Sequence, residues 1–148
     1  MISNMKPCNL TPEQREKILA SVAAKLDLHH EVRFAFAHGS FVQGGAFRDL
    51  DVAVFLLPKI LPEIGFRYEM RMESEIEKAL DPRVPVDVRI LNTAKLGFQY
   101  QALRGHLLVD RDPDERVAFT RKTVARYLDI APLLRHHTKE AFSIEPRP

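Results

Sequence analysis

The chain has 148 residues, 45% of them apolar and 28% charged, enough for one domain with a real core and incompatible with wholesale disorder. A formal net charge of +2 and a pI near 8.8 are too mild to imply a nucleic-acid partner. The single cysteine, Cys8, excludes an internal disulfide framework, no apolar run approaches the ~20 residues of a spanning helix, and no signal peptide is visible at Met1. The expectation is a cytoplasmic protein with no membrane partner.

Residues Met1–Asn9 lack periodicity and read as a loose arm. Thr11-Pro12-Glu13-Gln14 opens a helix: Thr11 caps, Pro12 suits the first helical position and Gln14 closes a capping box. Ile18, Leu19, Val22 and Leu26 recur at helical spacing, carrying the helix to about Leu28. Val32–His38 alternates Val32, Phe34, Phe36 against Arg33, Ala35, Ala37, a strand with apolar residues on both faces. Gly39-Ser40 follows it, a place where a phosphate can approach the backbone and meet a hydroxyl, and Gly44 and Gly45 let the connection turn. Leu50–Leu57 is the second strand, closed by Pro58.

Pro62–Leu80 reads as a helix burying Phe66, Met70, Ile76 and Leu80. Its glutamates Glu69, Glu73, Glu75 and Glu77 read as a solvated face paired with Arg71 and Lys78. After Asp81-Pro82 comes a third strand, Val84–Leu91, then a turn and cap at Asn92-Thr93, a short helix from Ala94 to Arg104 stopped by Gly105, and an edge strand, His106–Asp110. Asp112-Pro113-Asp114-Glu115 starts the last helix, which Pro132 bends or ends. Phe119, Tyr127, Leu133 and Leu134 exceed what one sheet face needs, which leaves core or contact with another chain as the two readings. Arg135-His136-His137 is not a zinc site, because adjacent helical histidines point apart. Ser143–Pro148 reads as a disordered tail, and residues 1–148 as a single domain.

The chemistry lies in three acids. Asp49 and Asp51 open the second strand and point to one face, while Leu50, Val52 and Val54 point to the other. Asp87 opposes Val86, Val88 and Ile90 in the third strand. If the two strands pair, three carboxylates share one face. They repel unless a proton or cation lies among them, which makes a hard-cation site beside a phosphate-binding loop. Lys95 and Arg104 are basic groups within reach of such a loop. Arg89 shares a face with Asp87, where it serves either a phosphate and the acid cluster or a structural ion pair.

Gly39-Ser40, Asp49-Leu50-Asp51 and Asp87 together resemble the DNA polymerase β-like nucleotidyltransferases. Within these, the fit is closest to the minimal MntA-type antitoxins paired with HepT toxins. Two later stretches, VRILNTAKLGFQYQALRGHLLVDRD and RYLDIAPLL, look like that group. The resemblance implies an α/β (α+β) nucleotidyltransferase fold: a small mixed or antiparallel sheet flanked by helices, with a C-terminal helix. It implies a Mg²⁺-dependent enzyme with two ions, ATP as substrate and Asp49, Asp51 and Asp87 as both metal ligands and catalytic residues. Gly39 and Ser40 would bind the phosphates. Arg48, standing where a serine often precedes the first Asp, joins Arg89 as a candidate nucleotide contact. The implied reaction transfers AMP to a tyrosine of a helical HepT/HEPN-type toxin. The other two readings are a nucleotidyltransferase acting on a small molecule and a non-catalytic antitoxin that masks its partner.

Overall fold

The computed structural model describes residues 9–142, with side chains from 9 to 133. The expectations for Cys8, most of the N-terminal arm, the side chains of Leu134, His136 and His137, and the tail from Ser143 lie outside the described residues.

The elements are α1 (Pro12–Asp27), β1 (Val32–His38), α2 (Ser40–Gln43), β2 (Leu50–Leu56), a 3-10 turn (Pro58–Glu63), α3 (Arg67–Lys78), β3 (Val86–Ile90), α4 (Leu96–Leu103), β4 (His106–Asp110) and α5 (Pro113–Phe142). The four strands form one mixed sheet in the order β3-β2-β1-β4. β1 is antiparallel to β2 and β4, whereas β2 and β3 are parallel because α3 carries the chain back over the sheet between them. The capping box at Thr11 and Gln14 is formed in both directions, with Gln14 N–H donating to Thr11 Oγ1 at 3.1 Å.

Each sheet face has its own core. Under α1 and α3 lie Leu50, Val52, Val54, Leu56, Val86 and Val88, covered by Ile18, Val22, Leu26, Met72 and Ile76. Under α4 and α5 lie Phe34, Phe36, Ala53, Phe55 and Leu91, joined by Ala102, Phe98 and Phe119. The simple alternation read for β1 fails at its start. A register shift between Val32 and Phe34 admits one extra residue, so Val32 joins Ala35 and Ala37 on the first face rather than Phe34 and Phe36 on the second.

Three readings of the middle of the chain are corrected. The expected helix from Pro62 is a 3-10 turn followed by α3, and its buried stripe is Tyr68, Met72 and Ile76, then Leu80. Phe66 and Met70 are 78% and 60% exposed, because Met70 stands about 200° around the helix from Tyr68. Glu69, Glu73 and Glu77 are not a solvated face. They accept hydrogen bonds from the N–H groups of Ile90 (2.8 Å), Val88 (2.9 Å) and Val86 (2.7 Å), along the outer edge of β3. Asn92 caps no helix. Its amide bonds both the N–H and the carbonyl of Leu56, at 2.8 and 2.9 Å, and Lys95 is the N-cap of α4.

The last helix runs through Pro132 to Phe142 rather than ending there. Phe119 belongs to the second core, 4.9 Å from Phe55 between ring centroids, and Tyr127 stacks on Tyr100 at 3.9 Å. Leu133 is exposed.

Candidate active site

Parallel pairing sets Asp51 opposite Asp87, and antiparallel pairing sets His38 opposite Asp51. Asp49 lies just before β2, and the side chains of residues 51, 53 and 55 of β2 alternate onto the α4/α5 face, so the acids emerge at the end of the core formed by Ala53 and Phe55. The result is a cluster in which Asp49, Asp51 and Asp87 each offer a carboxylate oxygen, all within 4.8 Å of one another and all half-buried. Three oxygens this close suit a hard divalent cation; strands hold Asp51 and Asp87, and Asp49 stands in the bend that leads into β2.

Burial first, then the charges of Asp49 and Asp87, push the Asp51 carboxyl up from 3.8 to about 6, against an opposing pull from Arg89. Asp49 is raised too, by burial and then by Asp87. A bound cation reverses both penalties. A pH prediction follows for the metal-free protein. The folded Asp51 holds its proton more tightly than the unfolded one, so between about pH 4 and 6 folding takes up a proton, and this contribution to stability falls as pH rises through that window. The thermal midpoint in chelator, wild type minus Asp51→Asn, should therefore decline across the window, and Mg²⁺ should restore it. A difference that is flat, or that rises with pH, would contradict the crowding of these carboxylates.

Gly39 stands against Asp51. Its φ is +82°, and an added Cβ would collide with Asp51 Oδ2, so only glycine lets the chain pass the acid. Ser40 is exposed and begins α2, whose first amides have no acceptor within the helix. The loop after it is held by a residue that the sequence reading passed over. Arg15, buried on α1, donates to the carbonyls of Phe41 and Gly45, both at 2.6 Å, and its guanidinium lies 4.9 Å from the centroid of Phe47. The signal was present only as an arginine on the buried stripe of α1.

Arg89 lies 3.7 Å from Asp87 and over the ring of Phe98, with most of its side chain exposed. Arg48 is exposed, with no hydrogen bond or ion pair to another described residue. His38 was also missed. Its ring meets the Phe98 edge at 5.2 Å, burial lowers its pKa, and its Nε2 is buried with no partner among the described residues. The hint was a histidine ending an otherwise apolar strand. A recess of about 220 Å³ adjoins Gly39, lined by His38, Gln43, Gln101 and Arg104. A larger one, about 430 Å³, lies between α1 and α3 among Lys25, Arg71 and Lys78 and includes none of the three acids. Lys95 is exposed at the start of α4.

Comparison with known proteins bears on the family and the fold. Residues 20–114, well over half the chain, match the family model described as polymerase beta, nucleotidyltransferase. No sequence among the curated proteins matches significantly. Among solved structures, a chain of the toxin–antitoxin MntA-HepT is similar at 16% identity and a TM-score of 0.61, covering 88% of this chain and 98% of that one. A toxin–antitoxin structure with AMP-PNP gives 19% identity and 0.63, covering 89% and 98%. A tri-AMPylated HEPN toxin from Shewanella oneidensis in complex with MNT antitoxin gives 17% and 0.62, covering 87% and 96%. At these identities the likeness is one of fold. Among the described residues, no helix is long and apolar enough to cross a membrane.

Proposed function

The chain belongs to the polymerase beta nucleotidyltransferase family, and from that premise we propose that it is a Mg²⁺-dependent adenylyltransferase that moves AMP from ATP to a tyrosine of a HEPN-type helical toxin. The observation that carries the reading is the convergence of Asp49, Asp51 and Asp87 within 4.8 Å beside Gly39. The structural likeness to a complex that contains a tri-AMPylated HEPN toxin supports AMP as the group and such a toxin as the acceptor.

Asp49 and Asp51 would hold the nucleotide-bound ion, and Asp87 with one or both of them the second. When bound, such a pair neutralises the charge that gathers on the phosphates as the bond to the leaving group breaks. The acceptor oxygen attacks the α-phosphorus, the bond from that phosphorus to the β-phosphate oxygen breaks, and pyrophosphate leaves. Asp87 orients the acceptor hydroxyl and takes its proton. Ser40 donates its hydroxyl and amide to the outer phosphates, which Gly39 lets approach, and Arg15 keeps that loop in place by holding the carbonyls of Phe41 and Gly45. Arg89, beside Asp87 with its guanidinium largely exposed, is the nearer of the two candidate arginines to the acids.

A partner-masking protein without transfer is the second reading, and the raised carboxyl of Asp51 speaks against it. Clustered charge costs stability, and masking gains nothing from it. The two separate on whether the purified chain moves the α-phosphate of ATP onto a co-purified helical partner, which masking does not do.

A further inference from the structure

We propose that Glu73 and Glu77 are positioning residues for Asp87, acting through the backbone of β3. The inference rests on the nucleotidyltransfer reading for the role of Asp87, but not for the geometry. β3 is an edge strand, so one row of its N–H groups has no neighbouring strand to bond. Those groups belong to Val86, Val88 and Ile90, and each is taken by one glutamate of α3. The fit is geometric. Four helical residues rise about 6 Å, two strand residues about 6.6 Å, so glutamates four apart meet alternate amides.

Val86 and Val88 flank Asp87, so Glu77 and Glu73 fix the backbone on either side of the acid. On its side chain, the contact found among described residues is the long one to the exposed Arg89, at 3.7 Å. The carboxylate is therefore aimed by its backbone. A metal ligand displaced by even half an ångström binds poorly. The arrangement also carries a cost that edge protection alone does not require. Glu69, Glu73 and Glu77 repel one another along one helix face, and burial, with Asp87 and the two neighbouring glutamates, raises the Glu73 carboxyl despite the bond from Val88. A lysine or proline would guard an edge without that repulsion.

Mn²⁺ titration of the full chain, with amide hydrogen exchange alongside, tests this. Glu73→Ala and Glu77→Ala should each weaken Mn²⁺ binding about tenfold, as loss of support behind a ligand does, and Glu73→Ala should speed exchange at Val88. Glu73→Gln removes the same charge but keeps the acceptor, so it should stay within about twofold of wild type. Glu69→Ala, which frees only Ile90, three residues past Asp87, should also stay within about twofold. Should Glu73→Ala fail to fold, Glu73→Asp carries the test: it keeps the charge, draws the carboxylate back by about 1.5 Å, and should weaken binding like the alanine. Unchanged Mn²⁺ affinity in these variants overturns the proposal. So does an equal loss in Glu69→Ala, or an equal loss in Glu73→Gln, which would reduce the effect to charge. A wild-type chain that binds no Mn²⁺ overturns the nucleotidyltransfer reading and this one together, whereas wild-type binding with an unaffected Glu73→Ala overturns this one alone.

Discussion

Asp87→Asn is expected to leave a folded chain that still binds Mg·ATP and transfers nucleotide at least about a thousandfold more slowly. The change is nearly isosteric, and it leaves the Val86 and Val88 amides bonded to Glu77 and Glu73. Under the proposed roles, Asp49 and Asp51 remain to hold the nucleotide-bound ion. What is lost is one full negative charge at the acceptor side, where the hydroxyl must be oriented and give up its proton. The substitution also relieves one of the charges that raise Asp51, so the metal-free variant should be no less stable than wild type. Transfer rate and calorimetric Mg·ATP affinity, measured on the same preparation, check both parts. A retained rate removes Asp87 from the chemistry, and a lost affinity moves it to the nucleotide-binding ion.

Gly39→Ala should damage both stability and the site. The residue has φ +82° and ψ −163°, a region that side chains rarely enter, and the new Cβ would meet Asp51 Oδ2. Either the loop moves away from the acids or Asp51 turns out of the cluster. A destabilisation of about 2–4 kcal/mol is expected, together with loss of nucleotide binding. Gly45→Ala is the control, since nothing lies within 4 Å of its added Cβ, and it should be close to neutral. Denaturant titration with nucleotide binding measures the contrast. Equal behaviour of the two variants would show that Gly39 does not have to make way for Asp51.

The residues that carry local rules were legible in the sequence. Alternation placed Asp49 and Asp51 opposite Leu50 and Val52, and the capping pattern placed the start of α1. Pairing of β2 with β3 is not written in either segment alone, and the fold supplies it with Asp51 opposite Asp87. The roles given to Asp49, Asp51, Asp87, Gly39, Ser40, Arg48 and Arg89 are proposed ones; the structure shows where each residue stands. What stayed hidden depends on which element packs over which. Glu73 looks like a surface glutamate until the edge of β3 is beside it, and Met70 looks like core until the start of α3 fixes its phase. Arg15 looks like one more charge on a helix until the carbonyls of Phe41 and Gly45 turn toward it. One extra residue in β1 undid an alternation that period-two reasoning takes for granted.

Cleavage of ATP between its α- and β-phosphates, with AMP passing to a helical partner, is tested most directly with labelled nucleotide. Purified wild type, a HEPN-type partner and Mg²⁺ are incubated with ATP labelled at either the α- or the γ-phosphate, and the partner is then isolated. Label is expected on the partner from the α position and none from the γ position, with neither label transferred by the Asp49→Asn, Asp51→Asn double variant. Label from the γ position would make the reaction a phosphoryl transfer, and a partner that is bound, silenced and unlabelled would make this chain a masking protein.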